Sequence, residues 1–244
     1  MKQSDSNEKK PKGDFMEKGI NFIIGLVVLG LMCGIYVKQN DLMPKRNKTD
    51  DDFDIKIVDN KVDFNDNGVN DYTDIMLGAR KDAENEPKYI DKYFSGGYPP
   101  ENVGVCSDVV WRAFKNAGYS LKDMVDADIK RRPEAYPLIE KPDPNIDFRR
   151  VRNLHIFFEK YAVTLTKNIE KTDKWQAGDI VILGDDKHIG IISDKRNDKG
   201  VPYVIHNDGQ PDREEDILKE SKVIAHYRFD ASKINKKYLK VWKD

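Results

Sequence analysis

The chain has 244 residues, 39% of them apolar, so one substantial domain with a buried core is within its means. Charged residues make up 35% and nearly cancel, 42 basic against 43 acidic. That composition excludes collagen-like, coiled-coil and wholly disordered classes and leaves no net field to draw nucleic acid, so no nucleic-acid partner is expected.

Residues 1–19 form a polar tail, with Lys2, Lys9, Lys10, Lys12 and Lys18 ahead of an uncharged run from Ile20 to Val37. The run is long enough to cross a bilayer core and lacks a small-residue cleavage site near its end, which favours one uncleaved transmembrane helix over a signal peptide. Cys33 lacks the flanking residues that lipid attachment requires. Lys38, Lys45, Arg46 and Lys48 follow the span, so charge hardly decides orientation. A short tail before a first span usually stays inside, and the expected location is therefore a single-pass membrane protein with residues 38–244 outside the cytoplasm. Gly30 and Gly34 form a GxxxG pair, a weak hint of a homodimer through the anchor. Residues 38–54 are polar and read as a flexible tether, leaving 55–244 as the domain.

Asp63, Asn65, Asn67 and Asp74 stand at positions 1, 3, 5 and 12 of a loop, with Gly68 at the sharp turn, the Val69 carbonyl at position 7 and Asp71 at position 9. That spacing suits a hard cation, and a structural calcium ion at 63–74 is one reading. An Asx-rich turn capping a helix from Tyr72 to about Ala83 is the other. No cofactor is expected to be required for catalysis.

Around Cys106, Gly, Pro and Asn give way after Val105 to Val109, Val110, Ala113 and Phe114 at helical spacing, and Gly118 supplies the stop. Cys106 is thus expected at a helix N-terminus, where unpaired amides and the dipole lower a thiol pKa. A small buried hydrophobe is the competing reading. A thiol nucleophile needs a base and an orienting group. Among four histidines, His155 falls on an amphipathic helix in a surface or packing role. His188 opens an apolar strand, His206 ends the next, and His226 lies in a further one. Spacing alone leaves several pairings open. Trp111, Trp175 and Trp242 read as packing residues.

A Gly-Gly loop, Cys-Ser at a helix start, Trp175-x-x-Gly178-Asp179, His-Ile-Gly-Ile and Val-Ile-His occur in an order that resembles the NlpC/p60 papain-like cell-wall peptidases. More closely, GVCSDVVWRAF, PDPNIDFRRVRNL, HIGIISD, IHNDG and AHYR resemble the bacterial family known as domain of unknown function 1287, placed among those peptidases. The resemblance implies an α+β, papain-like fold in which an antiparallel sheet, about 163–229, packs on the nucleophile helix and on the helix containing Asn153. It further implies Cys106 as nucleophile, His188 as general base and His206 as orienter, with Asn207 as the competing orienter or a substrate contact. Tyr93 matches a Tyr-x-x-Gly-Gly element that helps bind the stem peptide. Asp108 departs from the Gly common after Cys-Ser and falls on the substrate side of the thiol. Asp147, Arg149 and Arg150 are candidate contacts to a carboxylate-bearing substrate, with a structural ion-pair cluster as their alternative.

The function so implied is an anchored, extracytoplasmic cysteine hydrolase that cleaves amide bonds in peptidoglycan peptides. A calcium-stabilised wall-binding module without catalysis, or a papain-like acyltransferase, would use the same fold.

Overall fold

Apolar residues at helical spacing before residue 162, and at alternating spacing after it, separate the chain into helices followed by a sheet. The computed structural model describes residues 13–39 and 47–243, and in the first helix it describes the side chains of residues 20 and 22–36. The chain divides into two units, the second beginning at Asn47.

The first unit contains α1 (Gly13–Gln39), a 27-residue helix that includes the uncharged run 20–37. At 1.5 Å per residue it is roughly 40 Å long. Among the described residues, no helix is long and apolar enough to cross a membrane. Most of the tail (1–12) and residues 40–46 of the tether lie outside the described residues.

The second unit starts earlier than the sequence reading placed it. Lys48 forms a β-bridge with Arg196, and Asp50 pairs with the fully buried Arg196 guanidinium. A buried guanidinium needs a counter-ion, and the segment read as tether supplies it.

Next come α2 (Asp71–Glu84), β1 (Lys88–Tyr89), β2 (Val103–Gly104), α3 (Cys106–Asn116), α4 (Leu121–Arg131) and α5 (Val151–Tyr161). The strands β3 (Val163–Thr164), β4 (Ile180–Leu183), β5 (His188–Arg196), β6 (Pro202–Ile205), β7 (Glu214–Glu215) and β8 (Val223–Arg228) form one antiparallel sheet in the order β3-β8-β4-β5-β6-β7. The fold is α+β.

Both faces of the central strands are covered. Ile180, Ile182, Ile189, Ile191 and Ile205 join the core made with the helices, while Val181, Leu183, Ile192 and Val204 join a second cluster around Trp175 and Leu218. Period-two alternation assigns the two sets, and burial on both sides explains why β4 reads as an unbroken apolar run. Helix α3 turns Val109, Val110, Ala113 and Phe114 inward, and Phe114 meets Phe229 and Phe158. Gly78 lets α2 approach α3, since a Cβ there would lie 2.5 Å from Asn116 Cβ. Gly178, at φ +85, brings the Trp175 turn against α2, where a Cβ would stand 2.2 Å from the Tyr72 carbonyl oxygen. Only glycine fits that position. The turn is held by Asp179, which accepts from His226 Nε2 at 2.9 Å and from Arg228 Nε at 2.6 Å, with His226 stacked on Trp175. His226 and Trp175 are therefore structural.

The 63–74 loop is closed by its own hydrogen bonds. Asp63 accepts from the N–H groups of Asn67 and Gly68, and Asn67 Oδ1 accepts from Val69 N–H. The Asn65 and Asn67 amides donate to Asp74 Oδ2. The two oxygens of Asp71 accept from Phe64 N–H and from the buried Tyr119 hydroxyl. Amide nitrogens face Asp74 where a cation would need oxygens, and among the described residues no group of three His, Cys, Asp or Glu side chains is arranged to hold a metal. The geometry matches the Asx-rich turn, with Asn70 as the N-cap of α2 accepting from Thr73 N–H.

Asp63→Ala removes the acceptor for two backbone donors and should lower stability by about 1–2 kcal/mol, measured by thermal melting. Calcium should leave the wild-type Tm unchanged. A calcium-dependent rise that Asp63→Ala abolishes would restore the cation reading.

Candidate active site

Cys106 is the first residue of α3 and is 6% exposed. The helix starts there because Asp108, three residues after Val105, accepts the Val105 N–H at 2.8 Å and so caps the turn. The same carboxylate takes Trp111 Nε1–H at 2.8 Å and both Nε and Nη2 of Arg149, each at 2.8 Å. Arg149 donates its remaining arm to the Lys92 carbonyl. Both side chains are buried. The sequence reading made Asp108 and Arg149 substrate contacts; the structure pairs them as the charges that hold the Cys106 helix against the loop before it, and Arg149 also lines the cleft beside the thiol. Asp147 is also buried, accepting from Asp143 N–H. Of that trio only Arg150 is exposed.

The cleft beside the thiol has a volume of about 200 Å³ and is lined by Cys106, Ser107, Tyr89, Arg150, Arg152 and Lys187, among others. Tyr89 takes the place the sequence gave to Tyr93. The parallel pairing of β1 with β2 puts Tyr89 abreast of Gly104, two residues before the cysteine. Tyr93 is 57% exposed, its hydroxyl bonded to Asn145 and Asp143, and does not line this cleft. The short strand 88–89 was the missed signal, because two residues are too few to read as a strand. A larger cleft, about 630 Å³, runs along the later turns of α3 past Trp111, Arg112, Lys115 and Trp242, but no Cys, His or Ser lines it.

Strand β5 brings the base to the thiol's neighbourhood. The backbone N–H groups of Ile189, directly after His188, and of Ser107 lie against Cys106 and favour its thiolate form. His188 Nε2 lies 2.8 Å from His206 Nδ1, with the two rings perpendicular. Among the described residues His188 Nδ1 has no hydrogen-bond partner and is available as a base. Asn207 is buried and spent on the Pro87 and Gly104 carbonyls and on Gly209 N–H. Of the two candidate orienters, His206 is the one that meets His188. His155 bonds Asp186, which lines the cleft beside Cys106, at 2.6 Å and packs near Tyr227.

Burial sets the electrostatics. It pushes the Cys106 thiol up to about 11, against the Ile189 and Ser107 N–H groups, and the Asp108 and Asp208 carboxylates add to the rise. The lowering expected from the helix start is outweighed, because a thiolate loses more hydration there than two amides return. Burial also lowers His188, with Asp208 opposing. His206 falls to about 3 through burial and then the His188 and Arg213 charges. At neutral pH the resting site is a protonated thiol beside two neutral imidazoles.

A family model described as Domain of unknown function (DUF1287) matches residues 76–229. Among curated proteins, Uncharacterized protein YijF of Escherichia coli (strain K12) is 39% identical over 150 residues, covering 59% of this chain and 73% of the relative. No solved structure matches the chain significantly. Cys106, His188 and His206 fall inside the matched region, whereas α1 and the 63–74 loop precede it.

Arg149→Met leaves a buried, unpaired Asp108 and should reduce the unfolding free energy by about 3–5 kcal/mol in denaturant titration. The double variant Asp108→Leu/Arg149→Met should recover part of that loss. A single-variant loss below about 1 kcal/mol, the range of exposed pairs, would show that this pair does not hold the helix start.

Proposed function

The chain belongs to the family described as domain of unknown function DUF1287, and we propose that it is a cysteine hydrolase of the NlpC/p60 papain-like type acting on amide bonds of peptidoglycan peptides. The observation that carries this reading is the junction of α3 and β5. A buried thiol at a helix start lies against an N–H of the strand that His188 opens, and His188 is in turn bonded to His206. Arg150, Arg152 and Lys187 line the cleft beside Asp91 and Asp186, and their cationic groups could pair with a free carboxylate on a substrate.

In the reaction, His188 Nδ1 takes the thiol proton as Cys106 Sγ attacks the amide carbonyl. The Cys106 amide at the start of α3 is placed to hold the developing oxyanion. The C–N bond breaks as His188 returns the proton to the leaving amine, giving a thioester. Water, deprotonated by His188, then cleaves the thioester and the thiol regains its proton. The uncharged run 20–37 on α1 would anchor this domain on the outer face of a membrane, with Gly30 and Gly34 available for helix pairing.

Incubating the full chain with purified peptidoglycan and analysing released fragments by mass spectrometry should reveal new amine and carboxyl termini. Cys106→Ala and His188→Ala should release none. Wall binding without cleavage by the wild type would favour a binding module instead. Because His188 must be neutral and lies below its ordinary value, activity should hold from neutrality into the alkaline range and fall only below about pH 6.5. An acid limb above pH 7 would contradict that assignment. Protease added to intact cells should digest residues 47–244, and protection until lysis would reverse the orientation.

A further inference from the structure

The two-histidine pair can carry its protons in two ways, and only one of them leaves a base. If His206 donates from Nδ1, His188 Nε2 must accept, its proton moves to Nδ1, and it has no lone pair there to receive the thiol proton. If His206 instead carries its proton on Nε2, its Nδ1 accepts from His188 Nε2–H and His188 Nδ1 is left basic. The second arrangement needs an acceptor at His206 Nε2. Glu215 provides it, with Oε2 at 3.0 Å.

We propose that Glu215 is a positioning residue for His188, its carboxylate holding the His206 proton on Nε2 so that the tautomers of both histidines are set for proton abstraction from Cys106. The inference rests on the hydrolase reading of the cleft. Burial and then the His188 and Arg213 charges hold His206 neutral, so the 3.0 Å approach of Glu215 Oε2 to its Nε2 is a contact between a carboxylate and a neutral ring. A neutral ring has one proton to place, and an ionised carboxylate only accepts. Gln210 does not bias the assignment, since its Nε2 amide donor lies 3.2 Å from His206 Nδ1 and 3.3 Å from His206 Nε2.

The register explains how the carboxylate arrives. Edge strand β7 pairs Glu215 with Val204 and Glu214 with Ile205. Adjacent residues of a strand point to opposite faces, so Glu214 turns to Arg80, Ser193 and Lys195 while Glu215 reaches His206. The charged groups around the relay are Asp208, which acts on His188, and Asp212 and Arg213, which act on Glu215 in opposite senses. A carboxylate that orients an imidazole through its distal nitrogen is a recurring way to raise the basicity of the working nitrogen.

The test uses the full chain labelled with ¹⁵N at histidine, in wild-type, Glu215→Leu and Glu215→Gln forms. Two-bond ¹⁵N–¹H correlation spectra should show His206 and His188 as Nε2–H tautomers in the wild type. In Glu215→Leu both should shift toward the Nδ1–H form, and iodoacetamide alkylation of Cys106 at pH 7 should slow about tenfold. Peptide mass spectrometry separates that thiol from Cys33. Glu215→Gln keeps an oxygen acceptor and should restore the tautomers and most of the rate, an outcome that a merely structural role would not give. Unchanged histidine tautomers in Glu215→Leu, or an Nδ1–H His206 in the wild type, would overturn the proposal. Cys106 alkylation equal in wild type and His188→Ala would instead sink the hydrolase reading, while the tautomers would still report on Glu215.

Discussion

A carboxylate with no exposed surface has to be neutralised where it stands, and in this protein the residue is Asp108, two positions after the cysteine. Its four donors come from three parts of the chain: the Val105 amide, the Trp111 indole one turn on, and two arms of Arg149, 41 residues away. The bidentate geometry sets the angle at which the start of α3 meets the loop carrying Arg149, and the third arm of that arginine holds the Lys92 segment. The wall of the cleft beside Cys106 and the direction of the sulfur therefore follow from one ion pair. Loss of either partner would leave a charge without water, which is why the arrangement tolerates little movement.

The sheet obeys the same logic. Its central strands are apolar on both faces, and polar groups enter only where they are paired, as with Asp179 between His226 and Arg228, and Arg196 among Asp50 and the carbonyls of Gly200 and Trp175. These clusters tie the 48–54 segment and the Trp175 turn to the strands. Strand β5, which opens at His188, is thereby held between β4 and β6.

Burial gives this site a character different from that of an exposed low-pKa cysteine. Burial raises the Cys106 thiol to about 11 and lowers His206 to about 3, so the thiol form is favoured at neutral pH. A resting thiol is less exposed to adventitious oxidation, since the thiolate is the species that reacts. The mouth of the cleft carries exposed Arg150, Arg152 and Lys187 together with the carboxylates of Asp91 and Asp186, while Cys106 lies buried behind them.

The sequence by itself determined the parts that depend on local periodicity and spacing: the start of α3 at Cys106, the helix from about 72 to 83, the strands that begin at His188 and end before His206, and the order of helices before sheet. Those follow from neighbouring residues, because helix and strand patterns repeat within a few positions. Tertiary structure alone decided which polar residues meet in the cleft and which are spent elsewhere. Arg149 and Arg150 are adjacent in sequence, yet one is buried on Asp108 and the other is exposed at the mouth of the cleft. His206 and Asn207 are likewise adjacent, yet one meets His188 and the other is spent on backbone carbonyls. Tyr89 displaces Tyr93 through a two-residue strand, and Glu215 reaches His206 from an edge strand that nothing in the chain announces. In each case the role depends on a partner brought close by folding and on the water that burial removes, and neither is encoded in the spacing of a single segment.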